Sequence, residues 1–227
     1  MTKGRFIAIG DVHGCVDELA ALIEKLEIKP EDQIIYLGDL VNRGPDSHGV
    51  ISIARKTATV AIMGNHEQRL LKYRKKGSNS TLSSNEQKTF EQLTPKDWKF
   101  IEQMIPTYYV PEIDTVFVHG GFLPQRAWQD QPLSIITNIQ VLVEGKKPAK
   151  RRDYPEAPYW ADFWEGPPFV VYGHTPRDEI YKKPQSIGID TSCAGGGKLT
   201  AYCLPGKEIV QVPSAREYYP RNGSKTR

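Results

Sequence analysis

Six residues of this chain could ligate a divalent cation, and each stands just past a short apolar run. They are Asp11 and His13 after "FIAI", Asp39 after "IIYL", Asn65 after "VAIM", His119 after "TVFV" and His174 after "FVVY". Carboxylate, imidazole and amide groups together suit a hard-to-borderline ion such as Mn²⁺, Fe or Zn²⁺ rather than a thiolate site. Six donors are too many for one tetrahedral ion and about right for two ions that share a carboxylate. A single His after a strand is more often an ordinary core residue, and a lone Gly-Asp is usually a turn. Here the five strand ends account for four of the chain's five histidines, with His66 directly beside Asn65. That coincidence favours a site.

The elements that must position these residues are legible in outline. "RFIAI", "IIYL" and "VAIM" read as strands. Between them, Val16, Leu19, Ile23 and Leu26 recur at helical spacing, a second helix is expected around Asp46 to Arg55, and a third from about His66 to Lys76. Strands alternating with short helices imply a parallel sheet, whose carboxyl ends lie on one edge where ligands bind. Glycine before a ligand lets the chain turn sharply there. From Lys75 to Ser84 the sequence turns polar and reads as a mobile loop, followed by a helix pair whose second member opens at Thr94-Pro95. The second half is richer in strands: "TVFVH", "PFVVY", "SIGI", "KLTAYC" and "EIVQV". An insertion over about 123–168 is expected to sit near the site, and a basic tail over 214–227 to be frayed. Residues 1–213 are expected to form a single catalytic domain.

Composition excludes several classes. A net charge of +3 over 227 residues does not announce nucleic-acid binding, though it is compatible with an anionic substrate. The apolar runs are too short to span a bilayer or to serve as a signal peptide. Three cysteines, Cys15, Cys193 and Cys203, share no metal-finger spacing and favour a reducing, cytoplasmic compartment.

The ordered series GDVHG, GDLVNRG, GNHE, VHGG and YGHT resembles that of the calcineurin-like metallophosphoesterases, specifically their phosphoprotein-phosphatase branch, over Arg5 to about Val212. The resemblance implies an α/β fold: a central β-sandwich of two mixed sheets flanked by helices. It further implies that Asp11 and His13 hold a first metal, that Asp39 bridges, and that Asn65, His119 and His174 hold a second, with Mn²⁺ as the leading ion. A hydroxide shared by two such ions would be the nucleophile. Arg43 offers a planar fork to phosphate oxygens, His66 is the expected general acid, and Glu67 either orients the site or starts a surface helix. Arg126 and Arg177 are candidate additional phosphate contacts. Cys15 is either a small core filler or a redox group.

Asn42 distinguishes substrates. Protein phosphatases of this branch resemble GDxVDRG, with an Asp that pairs with the catalytic His and keeps it protonated. A serine alkoxide needs that proton, because its conjugate acid is nearly as weak as water, pKa about 15.7. A phosphate-type leaving group has a second pKa of about 6 and departs with little help. The neutral Asn42 therefore tilts the expectation toward phosphoanhydrides. In this position "GDLVNRGPDS" resembles the symmetrical dinucleoside-tetraphosphatases, whereas "VHGG" looks more like the protein phosphatases. "KKPAKRR" (Lys146 to Arg152) puts five cations in seven residues: either a solvated face or a rim that attracts a polyanion, namely a dinucleoside polyphosphate, inorganic polyphosphate or a capped RNA end. Trp128, Tyr159, Trp160 and Trp164 could stack on a base or simply pin the insertion to the core. The expectation is a dimetal hydrolase of dinucleoside polyphosphates such as diadenosine tetraphosphate. The alternatives are a Ser/Thr protein phosphatase acting on a phosphoprotein, or a non-catalytic polyanion- or RNA-binding protein. Nothing in the sequence bears on oligomeric state.

Overall fold

The computed structural model describes residues 4–76, 81–144 and 146–220. Strands β1 (Phe6–Ile9), β2 (Gln33–Tyr36) and β3 (Val60–Ala61) alternate with helices α1 (Val16–Lys25), α2 (Ser47–Thr57) and α3 (Asn65–Lys76). Helices α4 (Ser84–Gln92) and α5 (Pro95–Glu102) form the expected pair. Their starts are fixed by caps: Ser83 N and Thr94 N donate to the carboxylates of Glu86 and Asp97, both at 2.8 Å. Then come β4 (Thr107–Val110), β5 (Thr115–Val118), α6 (Leu133–Ile136) and the hairpin β6 (Val141–Val143)–β7 (Lys147–Ala149). The chain ends on β8 (Phe169–Tyr172), β9 (Tyr181–Lys183), β10 (Ser186–Gly188), β11 (Lys198–Leu204) and β12 (Glu208–Pro213).

Two five-stranded sheets result, in the orders β12-β11-β1-β2-β3 and β4-β5-β8-β10-β9. Both are mixed. β1, β2 and β3 run parallel with β11 and β12 antiparallel at one side; β5, β8 and β10 run parallel between antiparallel edges β4 and β9. The parallel sheet expected from the first third is thus part of one layer of a sandwich. The period-2 alternation of each strand decides which layer its side chains join. Ile7, Ile9, Ile34 and Tyr36 pack with Leu19, Leu22 and Val50 of the helices. Ala8 and Ile35 turn the other way and meet Phe117, Val171 and Ile187 between the sheets. Val116, Val118, Val170 and Tyr172 face outward onto Phe122, Ile136 and Trp160 of the insertion.

Some boundaries differ from the sequence expectation. "VAIM" pairs as a strand only at Val60–Ala61, because Met63 N already bonds Ile105 O (2.8 Å) as the chain leaves for α3. β4 and β9 were not expected: "TYYV" and "YKK" are half-exposed edge strands that lack a continuous apolar run. The start of the basic tail is not frayed. Glu18 Oε1 accepts from Ser214 Oγ, Ala215 N and Tyr218 Oη at 3.3, 2.9 and 3.0 Å, while Tyr218 N and Tyr219 N donate to Ala194 O. A buried carboxylate needs such donors, and here the tail supplies them. Arg221, Lys225 and Arg227 lie outside the described residues, as does 77–80 of the polar stretch. Among the described residues, no helix is long and apolar enough to cross a membrane.

Candidate metal centre

The loops that follow β1 and β2 are knitted together by backbone. Val12 N and His13 N both donate to Asp39 O, at 3.2 and 2.8 Å, and Gly14 N donates to Leu40 O at 2.8 Å. These loops turn through left-handed backbone at His13 (φ 49°), Asp39 (φ 50°), Asn42 and Arg43 (both φ 69°), and the loop after β8 does so at His174 (φ 65°). Non-glycine residues adopt that region at a cost of roughly 1–3 kcal/mol each and persist there only where the surroundings force it. Gly38 (φ 93°) is obligatory for a further reason: a Cβ there would stand 2.6 Å from Gly64 N, so the ends of β2 and β3 could not approach.

These turns gather five of the six expected ligand side chains around Asp39 and Asp11, with His174 completing the ring. His119 Nε2 lies 3.4 Å from Asp39 Oδ2 and 3.0 Å from Asn65 Oδ1. His13 Nε2 lies 3.6 Å from Asp39 Oδ2 and 3.9 Å from Asp11 Oδ2. Of the groups whose ligand atoms fall within 4.8 Å of one another, two lie here, His13–Asp39–His66 and Asp39–His119–His174, and Asp39 belongs to both. Asp11 Oδ1 accepts from His174 N at 2.9 Å. The imidazoles of His13 and His119 point inward because Nδ1 of each is tied to a backbone carbonyl, Val41 O (2.9 Å) and Leu37 O (2.8 Å). That turns Nε2 of each toward the other ligands, His13 Nε2 without a hydrogen-bond partner and His119 Nε2 on Asn65 Oδ1.

These residues fit divalent ions. Asp11 Oδ2 and His13 Nε2 are buried without a hydrogen-bond partner, which is costly unless something else ligates them. The electrostatics agree. Burial opposes the charge on Asp39, yet His119 and His66 hold its carboxyl well below the usual range. Burial also opposes the charge on His119, but Asp39, Asp11 and Glu67 outweigh it and push that imidazole up to about 10. Burial raises Asp11, with Asp190 adding to the shift. Burial, reinforced by His119, drives His174 down to about 3.

Glu67 is fully buried, so the surface reading of it is wrong. Its Oε1 accepts from Leu40 N (2.7 Å) and Val41 N (3.2 Å), and its Oε2 from Asp39 N (3.0 Å). One carboxylate therefore holds the turn that carries Asp39. Burial and the neighbouring Asp39 raise it to about 7. Asp190 was missed. It is buried just past β10, accepts from Ser192 N at 2.9 Å, and acts electrostatically on Asp11. Its signal was present in "SIGID", a sixth apolar run ending in an acid.

His66 meets Asn42, Nδ2 to Nδ1 at 2.8 Å, and Arg43 Nη2 approaches its Nε2 at 3.3 Å. A neutral imidazole has one donor and one acceptor. The Asn42 Nδ2 amide and the Arg43 guanidinium are both donors, so a neutral His66 accepts at one nitrogen only; the shorter contact makes that Nδ1, with the proton on Nε2. Asn42 Oδ1 is a buried atom without a partner. Burial, and Arg43 against the opposing Asp39, lower His66 to about 4.

The remaining candidates are held by contacts of their own. Arg177 is clamped between Tyr159 and Tyr181, at 4.0 and 4.3 Å from the ring centroids, and donates to Thr175 O. Arg126 lines a separate cavity of about 630 Å³ between the insertion and Tyr109 of β4. The basic run forms β7 and the turn after it, where Lys147 pairs with Glu144, Arg152 with Asp153, and Arg151 donates to Pro176 O. Trp128, Trp160 and Trp164 pack around Phe122, which pins the insertion to the second sheet. Cys15 is fully buried in the helix-side core, with its thiol within 4.8 Å of Cys193 Sγ and a Glu18 carboxylate oxygen.

With this geometry in hand, comparison with known proteins assigns the class. The chain belongs to the calcineurin-like phosphoesterase family, whose model matches residues 4–202. Among relatives, it is 30% identical to the asymmetrical bis(5'-nucleosyl)-tetraphosphatase PrpE of Oceanobacillus iheyensis over 92% of each chain. It is 31% identical to PrpE of Bacillus subtilis, over 92% of this chain and 95% of that one. A crystal structure described as a candidate diadenosine tetraphosphatase shares 30% identity and a TM-score of 0.83, covering 94% of this chain and 95% of that one. The fold alone is shared with a serine/threonine phosphatase of Saccharomyces cerevisiae, at 15% identity and a TM-score of 0.57 over 96% and 82% of the two chains.

Proposed function

We propose that this chain hydrolyses phosphoanhydride bonds of dinucleoside polyphosphates such as diadenosine tetraphosphate, using two divalent ions, Mn²⁺ foremost. Asp11, His13 and Asp39 would hold one ion, and Asp39, Asn65, His119 and His174 the other. Bound ions of this kind supply Lewis-acid charge for the phosphoryl oxygens and water of lowered pKa at neutral pH. The chain's own groups do the rest. Arg43, beside His66, offers its fork to two phosphoryl oxygens. Glu67 keeps the Asp39 turn rigid through three backbone donors. His66 is positioned at the leaving oxygen.

The contact between Asn42 and His66, 2.8 Å, carries the choice of substrate. An amide stabilises neutral imidazole, whereas a carboxylate in its place would favour imidazolium. A neutral His66 is a weak proton donor and suits a phosphate-type leaving group, which needs no proton. It suits a serine alkoxide poorly. The names of the relatives support the same reading and add a direction: unequal cleavage of a tetraphosphate, giving a nucleoside triphosphate and a monophosphate. The sequence motifs resembled the symmetrical enzymes instead, so product analysis is the deciding measurement for this point. A non-catalytic binder is disfavoured because every ligand type of the motif series is present.

Turnover with Mn²⁺ of diadenosine tetraphosphate and of a phosphoserine peptide, side by side, tests the proposal. The nucleotide is expected to be preferred at least tenfold in kcat/KM, with ATP and AMP as products. Preference for the peptide would overturn it.

A further inference from the structure

Beyond Arg43 the molecule opens into a cavity of about 380 Å³ whose walls include Arg43, Asn85, Lys88, Arg216, Glu217 and Tyr218. Three cations face one carboxylate there. We infer that this cavity is the seat of the departing polyphosphate arm of the substrate, with Lys88 and Arg216 as its specificity-determining cations. The inference rests on the dinucleoside-polyphosphate reading above.

Three observations carry it. The first is position: Arg43 is shared, since its Nη2 lies 3.3 Å from His66 Nε2 and its side chain also lines the cavity. The cavity therefore begins where a leaving oxygen next to His66 would depart. The second is construction. Asn85, Lys88 and Gln92 occupy one face of α4, by their spacing of three and four residues. That face is locked to the Arg43 loop at both ends: Asn85 Oδ1 accepts from Arg43 N (2.7 Å), Gln92 Oε1 accepts from Ser47 N (3.1 Å), and Gln92 Nε2 donates to Pro45 O (3.0 Å). The opposite wall is the segment after β12, fastened to Glu18 and Ala194, which brings Arg216 across from Lys88 and sets the Tyr219 ring 5.7 Å from the Arg43 guanidinium.

The third is charge economy. Lys88 has no ion-pair partner among the described residues, whereas the β6–β7 hairpin pairs Lys147 with Glu144 and Arg152 with Asp153. Unpaired cations around a concave wall focus potential toward an anion; paired ones on an open hairpin do so far less. The volume suits a chain of a few phosphates and is small for two nucleosides. The binding step involves no bond change: the arm enters as part of the substrate and leaves as the triphosphate end of the product.

The test is calorimetric binding of the Mn²⁺–tripolyphosphate complex to the Mn²⁺-loaded protein, alongside KM for diadenosine tetraphosphate. The double variant Lys88→Glu, Arg216→Glu is expected to weaken tripolyphosphate binding by about tenfold or more and to raise KM by a similar factor, from two reversed phosphate contacts. The hairpin variant Lys147→Glu, Lys150→Glu should change both by less than about twofold. If the double variant folds poorly, as judged by its thermal melt, Lys88→Glu alone, at an exposed side chain of the cavity wall, should still weaken binding by about threefold. Unchanged tripolyphosphate affinity, or an equal loss in the hairpin variant, would overturn the inference. Should the wild-type chain prefer the phosphoserine peptide while tripolyphosphate binding still depends on Lys88, the cavity stands and the substrate reading falls.

Discussion

The strand-end cluster and the β6–β7 hairpin both gather several ionisable groups, and the fold treats them oppositely. At the cluster, Asp11, His13, Asp39 and His119 are buried at 0–3% exposure, several of the ligands sit in left-handed turns, and some atoms are left without partners, as at Asp11 Oδ2 and His13 Nε2. On the hairpin and the turn after it, cations are exposed, and Lys147 and Arg152 pair with the local acids Glu144 and Asp153. Burying ionisable groups without partners costs free energy that a protein does not tolerate by accident. Pairing exposed ones contributes little, about 0–1 kcal/mol. A dense run of charge is therefore a poor pointer to function, and a few scattered ligands that converge are a good one.

The comparison can be broken most severely at Asp39, the residue common to both ligand groups. Asp39→Asn is expected to lower kcat by well over a hundredfold, beyond what loss of an outer hydrogen-bond partner costs, and to leave fewer ions per chain by elemental analysis. An ion content and rate like those of the parent would put the chemistry elsewhere. Glu67→Gln comes next. It removes the charge that receives three backbone donors, and metal affinity should fall about 10–100-fold as read by a chelator competition titration.

Asn42→Asp sharpens rather than breaks the cluster. A carboxylate beside His66 Nδ1 raises the imidazole's pKa and supplies a proton to poor leaving groups. Phosphomonoester turnover relative to anhydride turnover should rise several-fold, below the roughly 10²–10⁴-fold that full general acid catalysis contributes. An unchanged ratio would remove the leaving-group argument. The smallest effect is expected on the hairpin: Lys147→Glu should change KM for diadenosine tetraphosphate by less than about twofold at physiological salt, where exposed charges are screened. A large change would restore the hairpin as a substrate rim.

The pattern of what the sequence disclosed follows from the same physics. The ligands at Asp11, His13, Asp39, Asn65, His119 and His174 were legible because each needs its own residue type directly after an apolar strand. The parallel strands β1, β2, β5 and β8 were legible because they are buried on both faces and read as continuous apolar runs. β4 and β9 were not, since half-exposed edges carry no such signature. Asp190 was hidden because a single carboxylate after "SIGI" looks like any turn residue until the fold brings it to Asp11. Arg126 and Arg177 show the reverse: cations near ligand motifs in sequence, one of which lines another cavity while the other is sandwiched by tyrosines. Glu18 and the 214–219 segment could not be paired from sequence, being about 200 residues apart.

Anomalous diffraction from crystals grown with Mn²⁺ tests the central claim most directly. Two peaks are predicted, both within ligand distance of the Asp39 carboxylate, one flanked by His13 and the other by His119 and His174. A single peak, or two peaks of which neither touches Asp39, would contradict it.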